Sequence, residues 1–356
     1  MPGSTPRKGR GASFNPHPRY LAERREAFDD GWTETDGKPL PLSTTVTVEQ
    51  ARTIISRNDS PDVPFTASIN PYRGCEHGCI YCYARPTHAY LDLSPGLDFE
   101  SKLFAKTNAP ERLREELCRP GYRCEFIALG ANTDPYQPIE REYRITRAII
   151  EVLVECHHPL AIVTKSSLIE RDLDLLAPMA GKNLIEVFIS ITTLDHALAR
   201  RMEPRTTAPK RRLETLRRLS HAGIPTGVMF APVIPILNDS EMERVLEAAA
   251  EAGARFAGYV IVRLPHEIKD LFKQWLEDHQ PLKAQHVMNR IRDLREGKEN
   301  DPQFGSRMSG TGIYAQLIRR RFELACKRLG LNRSKHTLDA TQFRPPAMHG
   351  DQITLF

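Results

Sequence analysis

The stretch Asn70-Pro71-Tyr72-Arg73-Gly74-Cys75-Glu76-His77-Gly78-Cys79-Ile80-Tyr81-Cys82-Tyr83-Ala84 holds three of the chain's seven cysteines within eight residues, spaced C-x3-C-x2-C. Thiolates are soft ligands suited to iron–sulfur clusters, and Gly74 and Gly78 let so short a loop bend until three sulfurs meet one small cluster. Three ligands rather than four is the informative count. A cubane held by three cysteines leaves one iron open to substrate or cofactor, much as a catalytic zinc keeps an open position. A zinc loop using Cys75, Cys79, Cys82 and His77 is the competing reading. Zinc modules usually pair two C-x2-C knuckles, and Cys118, Cys124, Cys156 and Cys326 supply no second pair at matching spacing. Cys118, Cys156 and Cys326 fall on helical patterns and read as core-facing thiols.

Just upstream of the loop, residues 65–70 read as a short strand. Similar apolar or β-branched runs recur at 125–129, 160–164, 184–191, 224–230 and 256–262. Helical patterns lie between or after them, near 109–118, 140–156, 170–179, 208–222, 239–252 and 266–278, several closed by Ala-Gly or Gly. Because β-to-α-to-β crossovers are right-handed, six such units curl into an α/β parallel barrel, a partial or full (β/α)6 arrangement; a doubly wound sheet is the alternative. In either architecture chemistry belongs at the carboxyl ends of the strands. Those positions are polar here: the cysteine loop, then Gly130-Ala131-Asn132-Thr133-Asp134, Lys165-Ser166-Ser167, Ser190-Ile191-Thr192-Thr193 and Arg263. Ser190 and Thr192 alternate with Ile189 and Ile191, so both hydroxyls project to one side of the sheet and need partners.

Around this core (residues 61–280) lie an N-terminal arm, an extension and a tail. The arm, residues 1–60, is rich in Pro, Gly, Arg and Ser/Thr, with an apolar alternation at 45–48 and a short helix expected over 49–55. It is expected to be partly ordered and to pack on the core. The extension, 281–343, is polar and Gly-rich to 312, then forms a basic amphipathic helix over 313–329 with the stripe Tyr314, Ile318, Phe322, Ala325 and Leu329. A flexible tail occupies 344–356. The 356 residues carry 50 Lys and Arg against 45 Asp and Glu, a net charge of +5, with 40% hydrophobic residues. Membrane and fully disordered classes are excluded by that balance. A polar, basic start with no apolar run behind it lacks the layout of a secretory signal and predicts a cytoplasmic address. An odd cysteine count in a reducing compartment argues for metal or redox chemistry over disulfides.

Lys210-Arg211-Arg212 and Arg217-Arg218, after Glu203-Pro204-Arg205, read as a solvated helix face. Residues 313–336 are more suggestive, with Arg319, Arg320, Arg321, Lys327, Arg328, Arg333 and Lys335 against Glu323 alone. Binding to the phosphate backbone of a nucleic acid would explain that excess. The last five residues, Gln352-Ile353-Thr354-Leu355-Phe356, resemble the short peptide by which many bacterial replication and repair proteins dock on the sliding clamp.

The cysteine triplet, with an aromatic just before its last member and at the end of the first of six βα units, resembles the radical S-adenosylmethionine superfamily over residues 65–278. The segment Cys79-Ile80-Tyr81-Cys82-Tyr83, Thr164-Lys165 and the Ser-x-Thr at 190–192 resemble the spore photoproduct lyase-like branch, whose members are often labelled DNA repair photolyases. The resemblance implies a [4Fe-4S] cluster on Cys75, Cys79 and Cys82 whose open iron chelates S-adenosylmethionine. One electron, from a flavodoxin- or ferredoxin-type reductant, then gives methionine and a 5′-deoxyadenosyl radical that abstracts hydrogen from substrate. It also implies that Tyr81 touches the adenine, that Tyr83 and Lys165 belong to the cofactor shell, and that Gly130-Ala131-Asn132 faces the methionine amino group. Ser190 and Thr192 would contact ribose or carboxylate. No catalytic residue is assigned, and the substrate is open with nucleic acid favoured. A cluster-bearing binding or sensor protein without turnover is the other class. Lyases of that branch carry a hydrogen-returning cysteine after the second strand where this chain has Ala131, which implies little turnover of spore photoproduct.

Overall fold

Leu160–Thr164 is apolar on both faces, the pattern of a strand with neighbours on each side and layers above and below, and it is the middle strand of a seven-stranded sheet. The computed structural model describes residues 7–23 and 42–346. Its strands are β1 (Thr45–Glu49), β2 (Ile55–Arg57), β3 (Ala67–Ile69), β4 (Tyr72–Arg73), β5 (Lys102–Lys106), β6 (Ile127–Leu129), β7 (Leu160–Thr164), β8 (Ile185–Ser190), β9 (Thr226–Val233) and β10 (Phe256–Ile261). The helices are α1 (Leu97–Ser101), α2 (Ala109–Leu117), α3 (Glu140–Tyr143), α4 (Ile145–Glu155), α5 (Leu173–Gly181), α6 (His196–Met202), α7 (Pro209–His221), α8 (Met242–Glu251), α9 (Ile268–His279), α10 (Pro281–Asp293) and α11 (Gly312–Leu329).

The large sheet runs β10-β9-β8-β7-β6-β3-β2, parallel throughout except for β2, which pairs antiparallel with β3 at one edge. An order that never reverses is singly wound, so the doubly wound alternative is excluded and the core is an open (β/α)6 partial barrel. Its interior is built from inward stripes such as Ile149, Ile150 and Leu153 of α4 and Val245 and Leu246 of α8, packed with Ile162, Val187 and Val228 of the sheet. Each such fully buried side chain contributes roughly 1.5–3 kcal/mol. A small second sheet, β1-β5-β4, joins the N-terminal segment to the cysteine loop. Among the described residues no helix is long and apolar enough to cross a membrane.

Several expectations are corrected. The helix expected over 49–55 does not form: β1 ends at Glu49 and β2 begins at Ile55. Between them Ala51 N–H donates to Asn108 (2.8 Å), while Ile54 N–H (2.6 Å) and Ile55 N–H (3.3 Å) donate to the Glu116 carboxylate, so remote side chains take the bonds a helix would have made internally. The helix expected over 140–156 breaks at Arg144, which adopts φ 51°; the Glu140 carboxylate then caps α4 by accepting the Thr146 N–H at 2.9 Å. The segment 280–312 contains α10, which buries Val287, Met288 and Ile291. The 344–356 tail is not free from its first residue, since Arg344 N–H donates to Cys156 O (2.9 Å) and the Cys118 thiol to Pro346 O (3.2 Å). The Gln352–Phe356 motif lies outside the described residues. In α11, Ile318 and Ala325 are buried, with Tyr314, Phe322 and Leu329 packed at the margin, as the stripe predicts. Cys156 and Cys326 are buried, whereas Cys118 is half-buried.

Candidate functional site

The cysteine loop leaves β3 and turns twice. Gly74 (φ 72°) and Gly78 (φ 67°) sit in the left-handed region, and a Cβ on Gly78 would lie 2.7 Å from Glu100 Oε2. Cys82 N–H donates to Cys79 O (3.2 Å), Cys75 N–H to Phe99 O (3.0 Å) and Ile80 N–H to Met202 O (3.0 Å). Arg85, fully buried, donates Nε to Cys79 O (2.8 Å) and Nη2 to Gly78 O (3.0 Å), and it pairs with Glu100 at 2.5 Å. The N-terminal arm closes the other side: Gly11 and Ala12 N–H donate to the Glu100 carboxylate at 2.9 and 2.8 Å, and Arg10 Nη1 donates to Glu100 O at 2.7 Å. The loop is thus pinned by its own barrel and by a segment some 90 residues away in sequence.

All three thiols are free. Burial pushes each upward, and Cys79 and Cys82 both add to the shift of Cys75, so the sulfurs lie within electrostatic reach of one another. His77, the fourth ligand of the zinc reading, instead faces Asp134 with Nδ1 3.3 Å from its carboxylate. Among the described residues no group of three His, Cys, Asp or Glu side chains is arranged to hold a single metal ion. Three free thiols on one loop, within electrostatic reach of one another, supply the soft donor set that an iron–sulfur cluster takes.

Next to the sulfurs lies a polar ring from four strand ends. Lys165, just after β7, donates from Nζ to Ser190 Oγ at 2.6 Å and stands 5.9 Å from the Tyr81 ring centroid. Thr192 Oγ1 donates to Glu203 (2.6 Å) and lies 3.1 Å from the Tyr81 hydroxyl, which also donates to Glu203. The expected shell residues Tyr81, Lys165, Ser190 and Thr192 are therefore brought together, and Glu203 is their hub. The hub is held by Arg212, 1% exposed, whose Nη2 pairs with the same carboxylate. Burial alone would raise the Glu203 carboxyl, but Arg212, then Lys165, and the Thr192 and Tyr81 hydrogen bonds outweigh it and bring it to about 2. Asp134 behaves alike: burial raises it, His77 and the bonds from Lys165 N–H and Thr164 Oγ1 lower it, and it stands at about 2. Two carboxylates stay ionised in a desolvated site, each fastening a strand end.

The other expected residues form the opposite rim. Gly130, φ 89°, must be glycine because a Cβ there would lie 2.1 Å from Val163 O. The Tyr83 hydroxyl donates to Ala131 O, and Asn132 N–H donates to Asn70 Oδ1 at 3.0 Å, tying the loop after β6 to the end of β3. The solvated-face reading of the basic run at 210–218 is corrected for Arg212, which is buried, while Arg211 and Arg218 both pair with Glu170. In the second basic run, Arg321 pairs with Glu243 at 2.6 Å, and Arg320 and Arg328 stand 4.0 and 3.9 Å from Glu323 and Glu247. Sequence reasoning missed Glu203, Arg212, Arg85 and Glu100 as site residues, and reached Asp134 only as one polar residue of a strand end. The one signal available was an acidic residue, Glu203, standing alone before a basic run.

An α/β partial barrel whose first parallel strand ends in a three-cysteine loop, ringed by polar strand ends, is the frame of a cofactor-dependent radical enzyme. The radical SAM superfamily model matches residues 69–249, and the chain belongs to that superfamily. A Mycobacterium tuberculosis relative, an uncharacterized protein, is 40% identical over 234 residues, covering 65% of this chain and 68% of its own. One from Methanocaldococcus jannaschii, also uncharacterized, is 30% identical over 173 residues, 49% of this chain and 62% of the relative. Among solved structures, a spore photoproduct lyase mutant with bound AdoMet and dinucleoside spore photoproduct superposes with TM-score 0.56 at 16% identity over 80% of each chain. The lyase complexed with dinucleoside spore photoproduct alone gives 0.55 at the same identity and coverage. The shared fold is that of the lyase's partial barrel.

Proposed function

We propose that this protein is a radical S-adenosylmethionine enzyme that holds a [4Fe-4S] cluster on Cys75, Cys79 and Cys82. When bound, the reduced cluster supplies the electron that splits S-adenosylmethionine to methionine and a 5′-deoxyadenosyl radical able to take hydrogen from substrate. The observation that carries this reading is a single loop bearing three free cysteines beside a polar ring at the strand ends. In that ring the cation of Lys165 and the hydroxyls of Ser190 and Thr192 would bind the cofactor's carboxylate and ribose. Tyr81, Tyr83 and Gly130-Ala131-Asn132 would enclose its adenine and amino end. Glu203 orients Tyr81 and Thr192, and burial keeps water from the reacting centre.

Anaerobic reconstitution with iron and sulfide, then dithionite and S-adenosylmethionine, is expected to yield 5′-deoxyadenosine. Replacing Cys118, Cys124, Cys156 and Cys326 together by alanine should leave the iron–sulfur colour intact, since none of them neighbours the loop. Zinc in the isolated protein and no 5′-deoxyadenosine would instead establish the binding or sensor class. Ala131 supplies no thiol, so spore photoproduct is not expected to be turned over; efficient formation of two thymines would overturn that expectation.

The electron donor on this reading is a flavodoxin- or ferredoxin-type protein. The cations of α11 that face solvent would attract a nucleic-acid backbone, and Gln352-Ile353-Thr354-Leu355-Phe356 would dock on a replication clamp with Leu355 and Phe356 as apolar anchors. A peptide of that sequence is expected to bind the clamp of its own organism at micromolar affinity, about −8 kcal/mol. Calorimetric silence at high micromolar peptide would reduce the motif to an ordinary terminus.

A further inference from the structure

The carboxyl end of β10 opens onto a cavity of about 620 Å³, inside the roughly 300–1,000 Å³ range of small-ligand pockets. Its wall carries four cations, Arg263, Lys269, Lys298 and Arg307, against one carboxylate, Glu299. That carboxylate is already held by Lys273 and Arg292, each at 2.8 Å, so it does not balance the cavity's charge. Arg307 is likewise engaged, by Asp62 and Ser60.

Arg263 is the exception. Its Nε is buried without a hydrogen-bond partner, and the best acceptor near Nη1 is the Met308 sulfur at 3.8 Å. In the same wall Asn300 Oδ1 is also buried and unpartnered. A desolvated guanidinium normally finds oxygen acceptors, because donors left unmade cost more than a made bond returns. Burial and the neighbouring Arg307 both press its pKa down, with Tyr83, Asp62 and Asp301 only partly offsetting them. Arg263 links the cavity wall to the cysteine loop: its guanidinium lies 5.7 Å from the ring centroid of Tyr83, which directly follows the third cysteine.

We propose that this cavity seats a phosphate group of the substrate, such as a nucleotide unit carries, with Arg263 as anchor and Lys269 and Lys298 as flanking charges. A planar guanidinium presents paired donors that match two phosphate oxygens. The unit could come from a free nucleotide or from a single strand, which share this chemistry. The proposal deepens the radical-enzyme reading by naming its substrate class, and binding is measured without radical chemistry.

Full-length reconstituted protein is titrated with thymidine, thymidine 5′-monophosphate and single-stranded hexathymidylate by equilibrium dialysis. The monophosphate or the hexamer is expected to bind at least about tenfold more tightly than thymidine, and Arg263→Gln to weaken that binding about tenfold or more. S-adenosylmethionine affinity should not change in that variant. Equal affinity for monophosphate and hexamer identifies a free-nucleotide site, and preference for the hexamer identifies a strand. Lys298→Gln, at an exposed position, keeps the test valid should Arg263→Gln fail to fold, and should weaken binding about threefold. Arg319→Gln with Arg320→Gln, on α11, should leave monophosphate binding as it is. The proposal is overturned by absence of saturable binding of both phosphate probes, by thymidine binding as well as its monophosphate, or by Arg263→Gln affecting only S-adenosylmethionine. Absence of 5′-deoxyadenosine with phosphate binding intact would instead defeat the radical reading and leave the cavity assigned.

Discussion

Glu203→Ala is expected to destabilise the protein by about 3–5 kcal/mol, because it strands the Arg212 guanidinium as an unpaired buried charge. The same change removes the acceptor for the Tyr81 and Thr192 hydroxyls. Glu203→Gln separates structure from function. It preserves the shape and part of the hydrogen bonding but withdraws the negative charge that faces Lys165 at 4.0 Å. S-adenosylmethionine binding should then fall about tenfold while iron and sulfide content stays as in the parent, since no sulfur ligand is touched. Urea unfolding measures the first effect and equilibrium dialysis the second. The pH dependence has a definite sign. A carboxyl held at about 2 in the folded state, against an ordinary 4.5, stabilises the fold in full above 4.5, and that contribution is lost as pH falls toward 2. The acid limb of the stability curve should be shallower in Glu203→Gln. A variant with parent stability, parent cofactor affinity and an unaltered acid limb would remove Glu203 from the centre of the site.

Gly11→Ala, far from any sulfur in sequence, is expected to loosen the cysteine loop and, with it, the cluster proposed there. A Cβ at this position would lie 1.8 Å from Gly78 O, an atom already held by Arg85. Neither backbone can retreat cheaply, so the arm must lift. Lifting it takes the Gly11 and Ala12 N–H groups off Glu100 and exposes the loop that carries Cys79. Two charge-assisted hydrogen bonds are lost, each worth roughly 1.5–3 kcal/mol, so local opening should become at least about tenfold more frequent. The barrel core does not depend on this contact, and its unfolding midpoint should move little. Trypsin cleavage after Arg10 and bleaching of the iron–sulfur absorbance in air should both accelerate. Unchanged bleaching and unchanged proteolysis would mean that the arm only covers the loop and does not hold it.

These two sites illustrate what a linear reading reaches. The strand at 160–164, the order of six βα units and the C-x3-C-x2-C loop are legible because each is written in contiguous residues: period, β-branching, and the spacing of one residue type. Lys165, Ser190 and Thr192 were legible as polar groups at the ends of apolar strands, which is as far as a local pattern carries. The helix expected at 49–55 failed for the opposite reason. Its backbone donors are claimed by Asn108 and Glu116, about 60 residues downstream, and no local pattern announces them.

The Tyr81–Glu203 bond spans 122 positions and the Gly11–Glu100 bond 89, and in each the decisive quantity is desolvation. Glu203 reads in sequence as one acid before a run of bases, and Arg212 as one base among five. Only folding removes water from both, which turns an unremarkable surface pair into the charge that orders the site. The sequence by itself therefore determined the class of barrel, the three-cysteine loop and the polar character of the strand ends. Tertiary structure decided which carboxylates hold those ends, that the barrel stays open, and that the N-terminal arm seals the loop, because burial and long-range partners set hydrogen bonding and charge where spacing cannot.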